Sequence, residues 1–439
     1  MSKKVNFNKS IIDLFIMLFV VFIYYRISNY IAATLFIFYS FFSAVYYKGK
    51  YETFINCKTI FSFIFYFTIG LAMLRLHQDQ VEWKFMTFIL LFLSYFSFLF
   101  GYDTTKNSFK NNENVNKISK RKLQFMMNFI LVISITALGI EFCIRGYLPI
   151  FSSDMSSYQN FGVTGIHYFT VSGIIYLPMM VYMFKNYNLS KKEKLTNIIK
   201  CLVPIMIPIV IVSRQLLLME IILSGFILLK DMKKISKKNL FVLIFCIVFL
   251  ILSWLFVGKF RNQNQNYLKY VLHIQEDSIL SVQEMNAYMY IAFNYDNFNA
   301  NVDNIEHYSY GYNSLFPVFA LTGTKFIIGK YFVTDYTRVI NVFTTYPIQM
   351  TPYSDFGVIG VIIYMIVIGK LCNLIEKKND DAVSIIYKCL IWYCLLFSFF
   401  ESFFSYPTII FMFIYVYILS KIRIRGDIRE KSECINVNI

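Results

Sequence analysis

The chain has 439 residues, of which 57% are hydrophobic, 19% aromatic and only 15% charged, a composition outside the soluble globular class. Its net charge of +16 would suggest a nucleic-acid partner in a soluble protein, but here the placement of the basic residues decides. Eight cysteines without a CxxC pair, none of them between Gly258 and Asp355, argue against a disulfide framework or a zinc site.

The start, MSKKVNFNKS before an apolar run, lacks a small-residue cleavage site and reads as a retained first helix. Apolar runs long enough to cross a ~30 Å hydrocarbon core follow near 11–25, 30–46, 59–74, 85–101, 125–143 and 168–184. The run 198–229 is broken by Ser213, Arg214 and Gln215, which predicts a tight two-helix hairpin. Further runs near 239–257, 356–371, 383–399 and 407–420 bring the expectation to about 12 transmembrane helices.

Assigned to alternate sides of such a bundle, thirty of the 42 Lys and Arg residues fall on the side of the N-terminus and eleven on the other. The positive-inside rule then makes both termini cytoplasmic. The expected fold is an all-α polytopic membrane protein: helices one to nine over 1–257, one large extracytoplasmic loop over 258–355, helices ten to twelve over 356–420 and a cytoplasmic tail over 421–439. The loop carries six basic residues against seven acidic ones, so it is close to neutral and nucleic acid is excluded as a partner; the basic excess is topological, with some attraction to membrane lipid. Within it, Tyr267, Tyr270, Val271 and Ile274 predict an amphipathic helix on the membrane surface, and SLFPVFALTGTKFIIG, interrupted by Pro317 and Gly323, predicts a re-entrant piece.

Charged groups in or beside spans need a partner or a task. Glu141 and Arg145, four apart, share a helix face and can pair, or Arg145 can face a substrate anion. Arg214 stands at the hairpin tip between IPIVIVS and LLLMEIILSG, either snorkelling to lipid phosphate or lining a cavity where its guanidinium can grip a phosphate or pyrophosphate. In the loop exit RVINVFTTYPIQMTPYSDFGVIG, Arg338 is followed by Asn341, Tyr346 and Tyr353, amide and tyrosine side chains suited to a sugar. Asp355 there fits a helix N-cap as well as a base.

This pattern resembles the oligosaccharide repeat-unit polymerases, the Wzy-type O-antigen and capsule polymerases: about a dozen spans, a large late external loop, an arginine after a mid-chain span, and the stretch RQLLLMEIILSG with arginine, ten residues, then glycine from Arg214 to Gly225. A second copy of that spacing is missing from the late loop. The resemblance implies transfer of a growing glycan from polyprenyl pyrophosphate onto a new lipid-linked repeat unit, at the extracytoplasmic face of the bacterial plasma membrane. Arg214, Arg145, Arg338 and Arg261 are then the candidate pyrophosphate ligands, Asp355, Glu284 and His307 the candidate bases, and Asn341, Tyr346 and Tyr353 the sugar contacts. No metal site and no cofactor is expected. The partners implied are polyprenyl-pyrophosphate-linked oligosaccharide, a chain-length regulator and a flippase. An O-antigen ligase shares this architecture, and a lipid-linked oligosaccharide flippase is the rival outside the enzymes.

Overall fold

The computed structural model describes residues 2–105, 118–152, 157–230, 269–275, 278, 280–332 and 334–422. The predicted span 239–257, Arg261 and nearly all of the tail lie outside the described residues. The described elements are helical: α1 Ser2–Arg26, α2 Asn29–Tyr51, α3 Cys57–Met73, α4 Phe85–Thr104, α5 Lys120–Arg145, the short α6 Ser157–Phe161 and α7 His167–Val171, α8 Tyr176–Asn186, α9 Lys191–Val210, α10 Arg214–Leu229, α11 Val282–Asn301, α12 Met350–Glu376, α13 Ala382–Leu396 and α14 Pro407–Lys421.

Among the described residues, five helical stretches are long and apolar enough to cross a membrane: Asn29–Tyr51, Phe85–Thr104, Lys120–Arg145, His167–Asn186 and Met350–Glu376. Exposed side chains explain the composition. Phe15, Leu18, Phe19 and Phe22 on α1, and Ile359, Ile363 and Val367 on α12, form outward stripes at helical spacing. Such contiguous apolar faces are incompatible with water and suit lipid.

The chain divides into two compact units. Unit 1 holds α1–α4, α11 and α12; unit 2 holds α5–α10 and most of α13 and α14. In unit 1 the helices cross closely because glycines permit it. A Cβ on Gly101 would lie 2.1 Å from the carbonyl oxygen of Ile366, and one on Gly369 would lie 2.2 Å from that of Phe98. The contact of α4 with α12 therefore leaves no room for any side chain at either glycine.

Unit 1 also buries an ion pair. Lys9 is bonded to Asp13, and Asp13 accepts from the hydroxyls of Tyr39 at 2.7 Å and Tyr66 at 3.0 Å. The Lys9 ammonium lies 4.7 Å from the ring centre of Tyr39 and 5.6 Å from that of Tyr46. The charge pair is thus desolvated but fully partnered, the condition under which such a pair is tolerated in an apolar interior.

The amphipathic surface helix expected around Tyr267, Tyr270, Val271 and Ile274 lies partly outside the described residues, of which 269–271 are helical. A long helix begins after Ser281, whose hydroxyl and Glu284 build a capping box. This helix, α11, packs on α3, where Tyr295 and Thr68 share a hydrogen bond of 2.7 Å.

Candidate functional site

In unit 1 the polar face of α11 organises the loop exit. Asn294, Asn297 and Asn301 share that face. Asn297 donates to the carbonyl of Phe343 at 2.9 Å and accepts from the backbone N–H of Val339 at 2.9 Å. Asn301 donates to the carbonyl of Thr337 at 2.7 Å and accepts from its N–H at 2.9 Å, and Thr345 donates to Asn294 at 2.6 Å. Side-chain amides thus replace a neighbouring strand for an extended segment that would otherwise leave its backbone unsatisfied. The ladder presents Arg338 and Asn341 as exposed side chains, beside the half-buried Tyr346. The Tyr346 ring lies 5.3 Å from that of Tyr336. Burial raises the pKa of the Tyr346 phenol, while the hydrogen bond and charge of Arg338 pull it back. Arginine, amide and an aromatic pair together can hold a sugar by stacking and hydrogen bonds.

Three predicted residues of this unit turn out to do structural work. Asp355 is completely buried and accepts from the Ser309 hydroxyl and from the backbone N–H groups of Asn313 at 3.0 Å and Ser314 at 2.8 Å. It is neither the expected N-cap nor an accessible base, because α12 starts at Met350 and breaks only after Asp355, at Phe356 and at Gly357 with φ 61°. Glu284 accepts through Oε2 in its capping box, and the bonds from Ser281 hold its carboxyl below the usual range, which makes it a poor base. Tyr353 is buried, with its hydroxyl accepting from the N–H of Asp303 at 3.1 Å, so it cannot reach a sugar. His307 is exposed.

Elsewhere in unit 1 a cavity of about 290 Å³ is lined by Arg75, His77, Gln78, His273 and Gln275 among others. Arg75 and His273 both adopt left-handed backbone, with φ of 51° and 53°, a conformation that costs a non-glycine residue of order 1 kcal/mol. The site has a guanidinium and two imidazoles, with Asp79 paired to His273 at 2.8 Å. No sequence signal pointed to Arg75.

In unit 2 the predicted hairpin forms, α9 turning into α10 at residues 211–213. Val212 at the tip has φ 55°, a true outlier for a β-branched side chain. Ser213 caps α10 by accepting from the N–H of Leu216 at 3.4 Å, and Arg214 is the first residue of the helix. The half-buried guanidinium therefore stands where the helix dipole also favours an anion. Val212 and Leu217 pack against Ile150 and Tyr158, so the tip rests on the segment that follows Arg145.

Arg145 and Glu141 do not pair. Arg145 donates from Nε to the carbonyl of Phe161 at 3.1 Å and from Nη2 to that of Gly162 at 3.0 Å, binding the end of α6. Glu141, with no exposed surface, accepts from the N–H of Val163 at 2.9 Å, from His167 Nδ1 at 3.0 Å and from the Thr170 hydroxyl at 2.7 Å. The i, i+4 spacing allowed an ion pair, but five longer-range bonds tie both side chains to residues 161–170 instead. His167 is a residue the sequence reading missed; its proximity to Glu141 arises only when the loop folds back on α5.

Fold and site together define a polytopic helical membrane protein that collects arginines and hydrogen-bonding side chains at the ends of its apolar helices. The family described as "Putative O-antigen polymerase" matches residues 5–397, nearly the whole chain. The protein belongs to that family. Its role is accordingly of the O-antigen polymerase type, a glycosyltransferase-like activity on lipid-linked oligosaccharide in the membrane. No curated protein and no solved structure matches the chain.

Proposed function

We propose that the protein polymerises polyprenyl-pyrophosphate-linked repeat units of a surface polysaccharide, O-antigen or capsule, at the extracytoplasmic face of the bacterial plasma membrane. In this reading twelve spans leave both termini cytoplasmic, as the bias of thirty of 42 basic residues to one side supports. The observation that carries the reading is Arg214, held at the start of α10 on a strained tip that rests on the Arg145-anchored segment.

The chemistry follows from charge. When the anomeric carbon leaves pyrophosphate, negative charge grows on the leaving oxygen, and preplaced cations stabilise it better than mobile water. Arg214 and the N-terminus of α10 take that role, with Arg145 as a second cation. In unit 1, Asn341 and Tyr346 contact the sugar, Arg338 is a further cation for the pyrophosphate, and His307 is exposed. A chain-length regulator and a flippase act with the enzyme in the same pathway.

Deletion of the gene and gel analysis of the surface polysaccharide test the reading. Loss of the polymerase leaves single repeat units on the lipid anchor, whereas loss of a ligase leaves none attached. Unchanged chain length overturns both, and lipid-linked sugar crossing vesicles without chain extension identifies a flippase.

A further inference from the structure

The acceptor hydroxyl must lose a proton during transfer, yet Asp355 is buried under structural bonds, Glu284 caps its own helix, and the exposed His307 has no carboxylate to orient it among the described residues. We infer that His167 is the proton-accepting catalytic residue for the acceptor sugar hydroxyl, with Glu141 as its positioning residue. The inference rests on the polymerase reading above, and the juxtaposition of a buried carboxylate, a half-exposed imidazole and an arginine around Gly162 carries it.

Glu141 is an acceptor only, so the 3.0 Å contact with His167 Nδ1 requires the proton on Nδ1. The lone pair of the neutral ring is then on Nε2, which makes no hydrogen bond among the described residues. The ring is 35% exposed while its carboxylate partner has no exposed surface, so the dyad is rooted in the protein and open at one end. Bonds from Val163 N–H and Thr170 fix the carboxylate, and the carboxylate fixes the ring.

Gly162 brings the cation and the base together. Its carbonyl receives Arg145 Nη2 at 3.0 Å, and a Cβ on it would come 2.9 Å from Cγ of His167. Arg145 and His167 are thus both seated against Gly162, the arginine on its carbonyl and the ring on its Cα face. In the reaction the hydroxyl oxygen bonds to the anomeric carbon as its proton passes to Nε2. The bond from that carbon to the pyrophosphate oxygen breaks, and its electron pair leaves with the pyrophosphate. The imidazolium then returns its proton to water, so no further reactant is needed.

The test uses the full chain in lipid vesicles with a polyprenyl-pyrophosphate-linked repeat unit as substrate. His167→Ala is expected to lose on the order of 10²–10⁴ in turnover while affinity for the lipid-linked unit stays within a few-fold. Added imidazoles should restore turnover in proportion to their basicity, which filling a structural gap would not do. His167→Gln keeps a donor to Glu141 and serves if the alanine variant does not fold; it should be inactive yet bind substrate. Gly162→Ala should lower turnover without loss of affinity by displacing the ring. Wild-type turnover in either histidine variant, or a loss that no imidazole relieves in folded protein, overturns the assignment. Arg214→Ala separates the two readings. If it keeps affinity and turnover while His167→Ala behaves as expected, the pyrophosphate assignment fails and the dyad stands; the opposite pattern removes the dyad alone.

Discussion

Replacing Asn297 by alanine gives the sharpest check on how the loop exit is held. Asn297 has no exposed surface, donates to Phe343 and Thr345 carbonyls at 2.9 and 3.3 Å, and accepts from Val339 N–H at 2.9 Å. Its loss strands the Val339 N–H and the Phe343 carbonyl, and each buried unpaired group costs roughly 1–3 kcal/mol. Taking about 3 kcal/mol for the two, local opening of residues 337–345 becomes more frequent by about two powers of ten. Hydrogen exchange on protein in lipid nanodiscs reads this directly: amides of 337–345 should lose about 100-fold protection while those of α5 do not change. Asn297→Asp keeps the acceptor for Val339 but sets a carboxylate against two carbonyls, so it should be no better than alanine. Unchanged protection of 337–345 in Asn297→Ala would refute the ladder as the support of Arg338 and Tyr346.

Other perturbations test separate parts of the account. Asp13→Ala strips the buried Lys9 of its partner and should destabilise unit 1 by about 3–5 kcal/mol, seen as a lower unfolding temperature in detergent. Gly101→Leu forces a side chain into the Ile366 backbone and should prevent accumulation in the membrane, whereas Gly225→Ala, with open space around its Cα, should not. Burial drives Asp296 up from 3.8 to about 7, against the bonds from Trp83 and Gln80. Its folded-state value is raised, so its contribution to stability is full below about pH 4 and is lost as pH rises through about 7. Thermal unfolding across that window should show the decline, and Asp296→Asn should flatten it. Among the described residues neither carboxyl oxygen of the fully buried Glu220 has a hydrogen-bond partner, so Glu220→Leu, which removes the stranded polar atoms, should raise the unfolding temperature.

Much of the fold was legible because a helix in lipid is specified by local composition. The apolar runs fall on helices with ends displaced by only a few residues in most cases, as for 85–101 against Phe85–Thr104 and 407–420 against Pro407–Lys421. The break at Ser213–Gln215 located the hairpin tip, and with it Arg214, from a single polar interruption. What stayed hidden depends on distant partners. Asp355 looked like a cap because its neighbours in sequence are a serine and an apolar helix, but its donors come from residues 309–314. The asparagines of NYDNFNAN gave no signal in the sequence, because their partners in 337–345 come from a distant part of the chain. Glu141 and Arg145 obeyed the spacing rule, yet each found better partners in a segment twenty residues away.

The central claim, that Arg214 holds the pyrophosphate of the lipid-linked glycan, is tested most directly by chain extension in vesicles with Arg214→Ala and Arg214→Lys. The account predicts that the alanine variant reaches the membrane, is folded, and makes no long chains. The lysine variant should keep the charge without the planar fork and extend chains weakly. A wild-type ladder of chain lengths from Arg214→Ala would contradict the claim.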